Sequence, residues 1–140
     1  MTSQLNVDTI VDKAGSGGSN VKMANTSTYV SDGGNVTQNT VQGLAKVWQS
    51  TNVTTLNDSN NVSSVTDTAT GKLTVNYTAN MANATYTVTM NCAIQSQVPI
   101  CYCQDNSFNT TSAHRVNTEI ESGALADAEY IGSQVTGDLA

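Results

Sequence analysis

From Leu5 to Asn20 the chain reads LNVDTIVDKAGSGGSN, short β-prone runs broken by Gly, Ser and Asn turns. The same texture continues to about residue 40, with glycines at 15, 17, 18, 33 and 34. The β-prone pieces between them are Leu5 to Val11, Val21 to Ala24 and Thr28 to Ser31. Their large apolar side chains are too few to offset the conformational entropy lost on ordering such a stretch. The segment is therefore expected to gain its burial from other copies of itself, and closed cyclic symmetry is the natural arrangement.

The rest of the composition narrows the class. Only 11% of the residues are charged, against roughly 25% in an ordinary globular protein. Asn, Thr and Ser fill the difference, and with a single proline the chain reads as all-β rather than disordered. The formal net charge is -6, with five Lys and Arg residues. Nucleic acid and anionic membrane are poor partners for such a surface, because phosphate neutralisation needs clustered cations. No apolar run is long enough to span a bilayer, and the first residues lack the basic and apolar regions of a secretory signal. The expectation is synthesis in a cytoplasm. Cys92, Cys101 and Cys103 are then expected as reduced thiols packed as small apolar groups, a bridge from Cys92 being the alternative.

At residues 40–49 the period changes. Val41, Leu44, Ala45 and Trp48 recur at i, i+3, i+4 and i+7, which predicts a short helix with Thr40 as N-cap. Trp48 is expected to anchor it to the following domain. From Thr51 onward, alternation at period two dominates. Leu73, Val75 and Tyr77 share one face, as do Tyr86, Val88, Met90 and Cys92. Further strands are expected at Asn61–Asp67, Val98–Gln104, Ala113–Glu121 and Ala128–Gly137. Six or seven short strands over some 90 residues suggest a compact antiparallel sandwich.

The residues offer little chemistry. His114 is the only histidine, so no multi-His metal site can form within one chain, and no nucleophile elbow exists for a triad. An exposed or interface position is expected for it. The carboxylates are scattered. Glu119 and Glu121 share a strand face, where solvent-facing polar pairs are ordinary. Gly15-Ser16-Gly17-Gly18 lacks the Lys-Ser/Thr of a phosphate loop. Sequons such as Asn61-Val62-Ser63 and Asn83-Ala84-Thr85 follow from the composition and are read as unmodified. The expectation is no enzymatic activity, no cofactor and no metal.

Several blocks in order resemble one family. The opening motif, Val41-Gln42-Gly43-Leu44-Ala45-Lys46-Val47-Trp48, the block Asn61-Val62-Ser63-Ser64-Val65-Thr66-Asp67 with Gly71 to Tyr77 and Met81, and the ending Gly137-Asp138-Leu139-Ala140 are similar to short tail-fibre and fibre-like structural proteins of marine tailed phages of the cyanophage type. The resemblance implies a homotrimeric virion protein. Residues 1–40 would form a docking and trimerising shaft, 41–50 a helical collar and 51–140 a β-sandwich knob. Leu5, Val7, Ile10, Val21 and Met23 would face the trimer axis, and Leu44 and Trp48 would join the trimer interface. The N-terminus would dock on tail or capsid proteins, and the knob would face a host-surface glycan or protein. The chain departs from the pattern around Gln95 to Cys103. Receptor-facing loops are placed there and beyond, at Gln95, Gln97, Asp105, Asn106 and Asn109. A head-fibre or decoration protein and a carbohydrate-binding module are the alternatives.

Overall fold

In a computed structural model, residues 28–30, 37–39, 43–52, 54–103 and 108–140 are described. The chain divides into two units, Met1–Val41 and Gln42–Ala140. In the first, strands β1 (Thr28–Val30) and β2 (Thr37–Asn39) form an antiparallel pair with Tyr29 opposite Gln38. The axis-facing positions Leu5, Val7, Ile10, Val21 and Met23 lie outside the described residues.

The second unit is two four-stranded antiparallel sheets. Its strands are β3 (Ala45–Thr51), β4 (Leu56–Asn60), β5 (Val62–Ala69), β6 (Lys72–Tyr77), β7 (Thr87–Ala93), β8 (Pro99–Cys103), β9 (Ala113–Ile120) and β10 (Tyr130–Thr136). One sheet has the order β4-β3-β10-β7 and the other β5-β6-β9-β8. The expected strands from Asn61 to Gly137 therefore form, within a residue or two of their expected limits.

The expected helix does not form. Residues 45–51 are a strand held on both edges, by β4 and by β10. Val47, Gln49 and Thr51 bury at period two while Trp48 turns outward, and Lys46 is buried beside them. The helical spacing of Val41, Leu44, Ala45 and Trp48 was coincidental, because two ladder partners outweigh the weak propensity of a segment containing Gly43. β4, with polar residues at most positions, carries no alternation from which to read it.

Between the sheets lies one apolar core of Val47, Leu73, Val75, Tyr77, Met81, Val116, Ala128, Ile131 and Val135. It draws on the central strands β3, β10, β6 and β9, the arrangement of a sandwich. Consecutive strands change sheet four times, at β4–β5, β6–β7, β7–β8 and β9–β10. The β4–β5 corner is the single residue Asn61, at φ 58°, a left-handed conformation that Asn tolerates better than most residues. Its side chain holds the corner like a strand partner. Nδ2 donates to the Ala79 carbonyl at 3.0 Å, and Oδ1 accepts from the Ala79 amide at 2.6 Å. The β7–β8 corner contains Ser96 at φ 59°.

The β5–β6 hairpin turns at Gly71, at φ +67°. A Cβ there would also meet the Thr118 carbonyl oxygen at 2.5 Å. The Gly71 amide donates to Asp127 Oδ1 at 2.6 Å, tying the turn to the approach to β10.

Candidate functional site

β3 and β10 carry polar side chains on both faces, and the two faces treat them differently. On the inner face, Gln49 Nε2 donates to Ser133 Oγ at 3.2 Å. Ser133 Oγ lies 3.0 Å from His114 Nε2, and His114 Nδ1 lies 2.9 Å from the Tyr77 hydroxyl. An amide nitrogen can only donate. Ser133 therefore accepts from Gln49, and the Ser133 and Tyr77 hydroxyls engage the two ring nitrogens of His114, one of which donates and the other accepts in the neutral ring. Tyr86 extends the chain. Its ring packs edge-on to that of Tyr77, and its hydroxyl lies 2.7 Å from the Ala113 carbonyl oxygen.

His114 is completely buried within the sandwich, where an exposed or interface position was expected. Its neighbours on β9 alternate in a way that does not distinguish inside from outside, since Asn117 and Thr118 are buried too. Burial pushes its pKa down to about 4. The Tyr77 hydroxyl is pushed well up, by burial first and then by Tyr86. The result is a neutral polar seam joining the two sheets through the core. Ser133 and His114 sit within hydrogen-bonding distance, but they are sealed from solvent and no carboxylate is among the groups they bond to.

On the outer face of the same strands, cross-strand register builds a trough. One row is Trp48, Gln134 and Thr89, and the next is Ser50, Gly132 and Asn91. Tyr130 opens the third, opposite Ala93. Gly132 is the floor. A Cβ at that position would collide with Asn91 Oδ1 and lie 3.0 Å from the Tyr130 hydroxyl, so both side chains lean over it. Trp48 and Tyr130 wall the ends and remain 37% and 38% exposed. The cavity is about 350 Å³, within the roughly 300–1,000 Å³ of small-molecule clefts. No charged side chain lines it. A second hollow of about 470 Å³, beside Asn52, Thr54 and Asp127–Glu129, carries two carboxylates and no aromatic ring.

The outer face of the other sheet is more self-contained. Asn76 Nδ2 donates to Ser64 Oγ and Thr66 Oγ1, each at 3.1 Å. The Arg115 guanidinium stacks 4.1 Å from the centroid of the Phe108 ring. The Tyr102 hydroxyl bonds the Glu119 carboxylate.

The expected site residues fall as follows. Leu44 is 59% exposed. Trp48 points into the open trough instead of anchoring a helix. Gln95 and Gln97 are exposed at the β7–β8 corner, while Asn109 is half-buried; Asp105 and Asn106 lie outside the described residues. Glu119 lies on β9, and Glu121 lies just past its end. The three cysteines are free. Cys92 and Cys101 pack against the core from opposite sheets, and burial together with the neighbouring Cys101 thiol pushes Cys92 up to about 12. Among the described residues no group of three or more His, Cys, Asp or Glu side chains is placed to hold a metal. No helix among them is long and apolar enough to cross a membrane. Sequence reasoning did not find the trough, because Gly132 and Asn91 meet only through register.

No family model, curated protein or solved structure matches this chain.

Proposed function

We propose that the chain is a virion structural protein of the tailed-phage fibre type. In this reading residues 1–41 dock on the particle and associate as a trimer, and the sandwich is the outward recognition module. The observation that carries the reading is the division of the chain into two units of opposite character. The sandwich owns a complete core, whereas the N-terminal sequence holds few large apolar side chains and many Gly, Ser and Asn residues. A chain built this way needs a partner for one part and none for the other. The ordered series of blocks similar to fibre-like phage proteins supports the same reading. Exposed apolar side chains at Leu44, Val98 and Ile100 are consistent with contact between copies.

The test is native mass by light scattering, on the full chain and on residues 42–140. A trimer that becomes a folded monomer on truncation is the expected outcome. A full-length monomer would overturn the assembly. A capsid head fibre shares this physics, and immunogold labelling of particles separates head from tail.

A further inference from the structure

The polar groups over the trough are uncommitted. Inside the sandwich, Gln49 Nε2, Ser133, His114 and Tyr77 are bonded to one another, and on the other sheet Asn76 is held by Ser64 and Thr66. The side chains of Asn91, Gln134 and Thr89 bond to no other described residue. They stand beside two half-exposed aromatic rings on the central strands of a sheet, where the backbone ladder fixes their positions.

We propose that this trough binds a neutral saccharide, a pyranose unit of a surface glycan. The proposal rests on the recognition role given above to the sandwich. A pyranose ring has one face of C–H groups and a rim of hydroxyls. The C–H face suits the apolar face of Trp48, while Tyr130 closes the other end with a ring and a hydroxyl. Trp48 pairs with Gln134, four residues along β10 from Tyr130, so the two aromatic walls are rooted about 13 Å apart. Side-chain amides offer a donor and an acceptor side by side, which matches two adjacent hydroxyls, and Asn91 and Gln134 present two such amides. The charge of the site selects among ligands. With no cation in the lining, a phosphate, a sulfated sugar or a uronic acid would lose its hydration without gaining an ionic partner. With no carboxylate there, a cationic ligand has none either. Gly132 leaves the room in which the Asn91 amide and the Tyr130 hydroxyl lie over the strand, so a side chain at that point would displace the two groups that face the ligand.

Trp48 is the sole tryptophan, so intrinsic fluorescence reports on this site alone. The full chain is titrated with neutral oligosaccharides of glucose, galactose, mannose and N-acetylglucosamine, with polygalacturonate as the acidic control. The expected result is a saturable shift in Trp48 emission with at least one neutral sugar, at a dissociation constant of about 1 mM or tighter, and none with the control. Gly132→Ala and Gln134→Ala should each weaken binding at least about tenfold, roughly 1.4 kcal/mol, with unchanged native mass and unfolding midpoint. Absence of any sugar response overturns the proposal, as does a response that both variants retain. Emission that shifts on protein dilution but not with sugar also overturns it, because another copy of the chain would then cover Trp48. Light scattering on the same samples keeps the two readings apart. A trimer without sugar response removes the saccharide site alone, and a monomer that binds sugar removes the fibre assembly alone.

Discussion

Gln49 and Ser133 face inward from β3 and β10, and Trp48 and Gln134 face outward from the next residues along. The inward pair is part of a sealed chain of hydrogen bonds that crosses to His114 and Tyr77. The outward pair is left unbonded beside a glycine floor. One strand pair thus supplies both a structural seam and a candidate recognition surface, and the pleat alone decides which residue serves which. Polar side chains on a sheet have no fixed meaning. On this strand pair the inward Gln49 Nε2 and Ser133 are bonded to one another, and the outward Gln134 is left available.

Adjacent substitutions break this contrast most severely. Ser133→Asp would place a charge in the core between Gln49 and His114 and should cost more than about 4 kcal/mol, leaving the chain unfolded. Gln134→Asp, one residue along, should change stability by no more than about 0.5 kcal/mol. Chemical denaturation of the two variants of residues 42–140 measures the difference. Equal effects would mean that the two faces are not distinct.

Acid should open the seam next. The folded pKa of His114, about 4, lies below its ordinary 6.5. Above pH 6.5 the ring is neutral in both states, and its environment costs nothing. Between pH 6.5 and 4 the unfolded chain takes up a proton that the folded chain refuses, so stability falls as pH falls. The loss amounts to about 3 kcal/mol. Urea unfolding at pH 7 and pH 4 should show it, and the His114→Gln variant should lack this part of the slope.

Smaller effects sharpen the boundary between the two regions. Asn61→Ala removes two hydrogen bonds and an Asn suited to positive φ at the corner between the sheets. It should cost about 1–3 kcal/mol, read as a lowered denaturation midpoint. Cys92, with its thiol pushed up to about 12, should react with iodoacetamide at pH 8 much more slowly in the folded chain than in urea. Peptide mapping after timed quenching gives both rates.

The same contrast explains which parts of this structure the sequence discloses. Where one face was apolar, as at Leu73, Val75 and Tyr77, alternation located the strand within a residue. β3 failed that test because its inward residues include Gln49 and Thr51, so an accidental helical spacing stood out instead. β4, LNDSN, offers no apolar rhythm at all. His114 was expected at an exposed or interface position because a lone histidine beside Arg115 looks polar, and its partners Ser133 and Tyr77 come from distant strands. The trough was hidden for a related reason. Gly132, Asn91 and Trp48 are 41 and 84 residues apart in sequence, and only the register of three strands joins them.

β3 and β10 are also the first and last strands of the sandwich, and they run antiparallel with Ala45 opposite Thr136. The polypeptide therefore enters and leaves this unit at neighbouring points on one sheet. A sandwich arranged like this can be grafted whole into a single loop of an unrelated host protein, its two junctions meeting the loop's two ends without stretching either. It can equally be re-threaded by joining Thr136 to Ala45 through a short linker and cutting at Gly123, where the backbone is open to solvent and even a side chain would touch nothing within 4 Å.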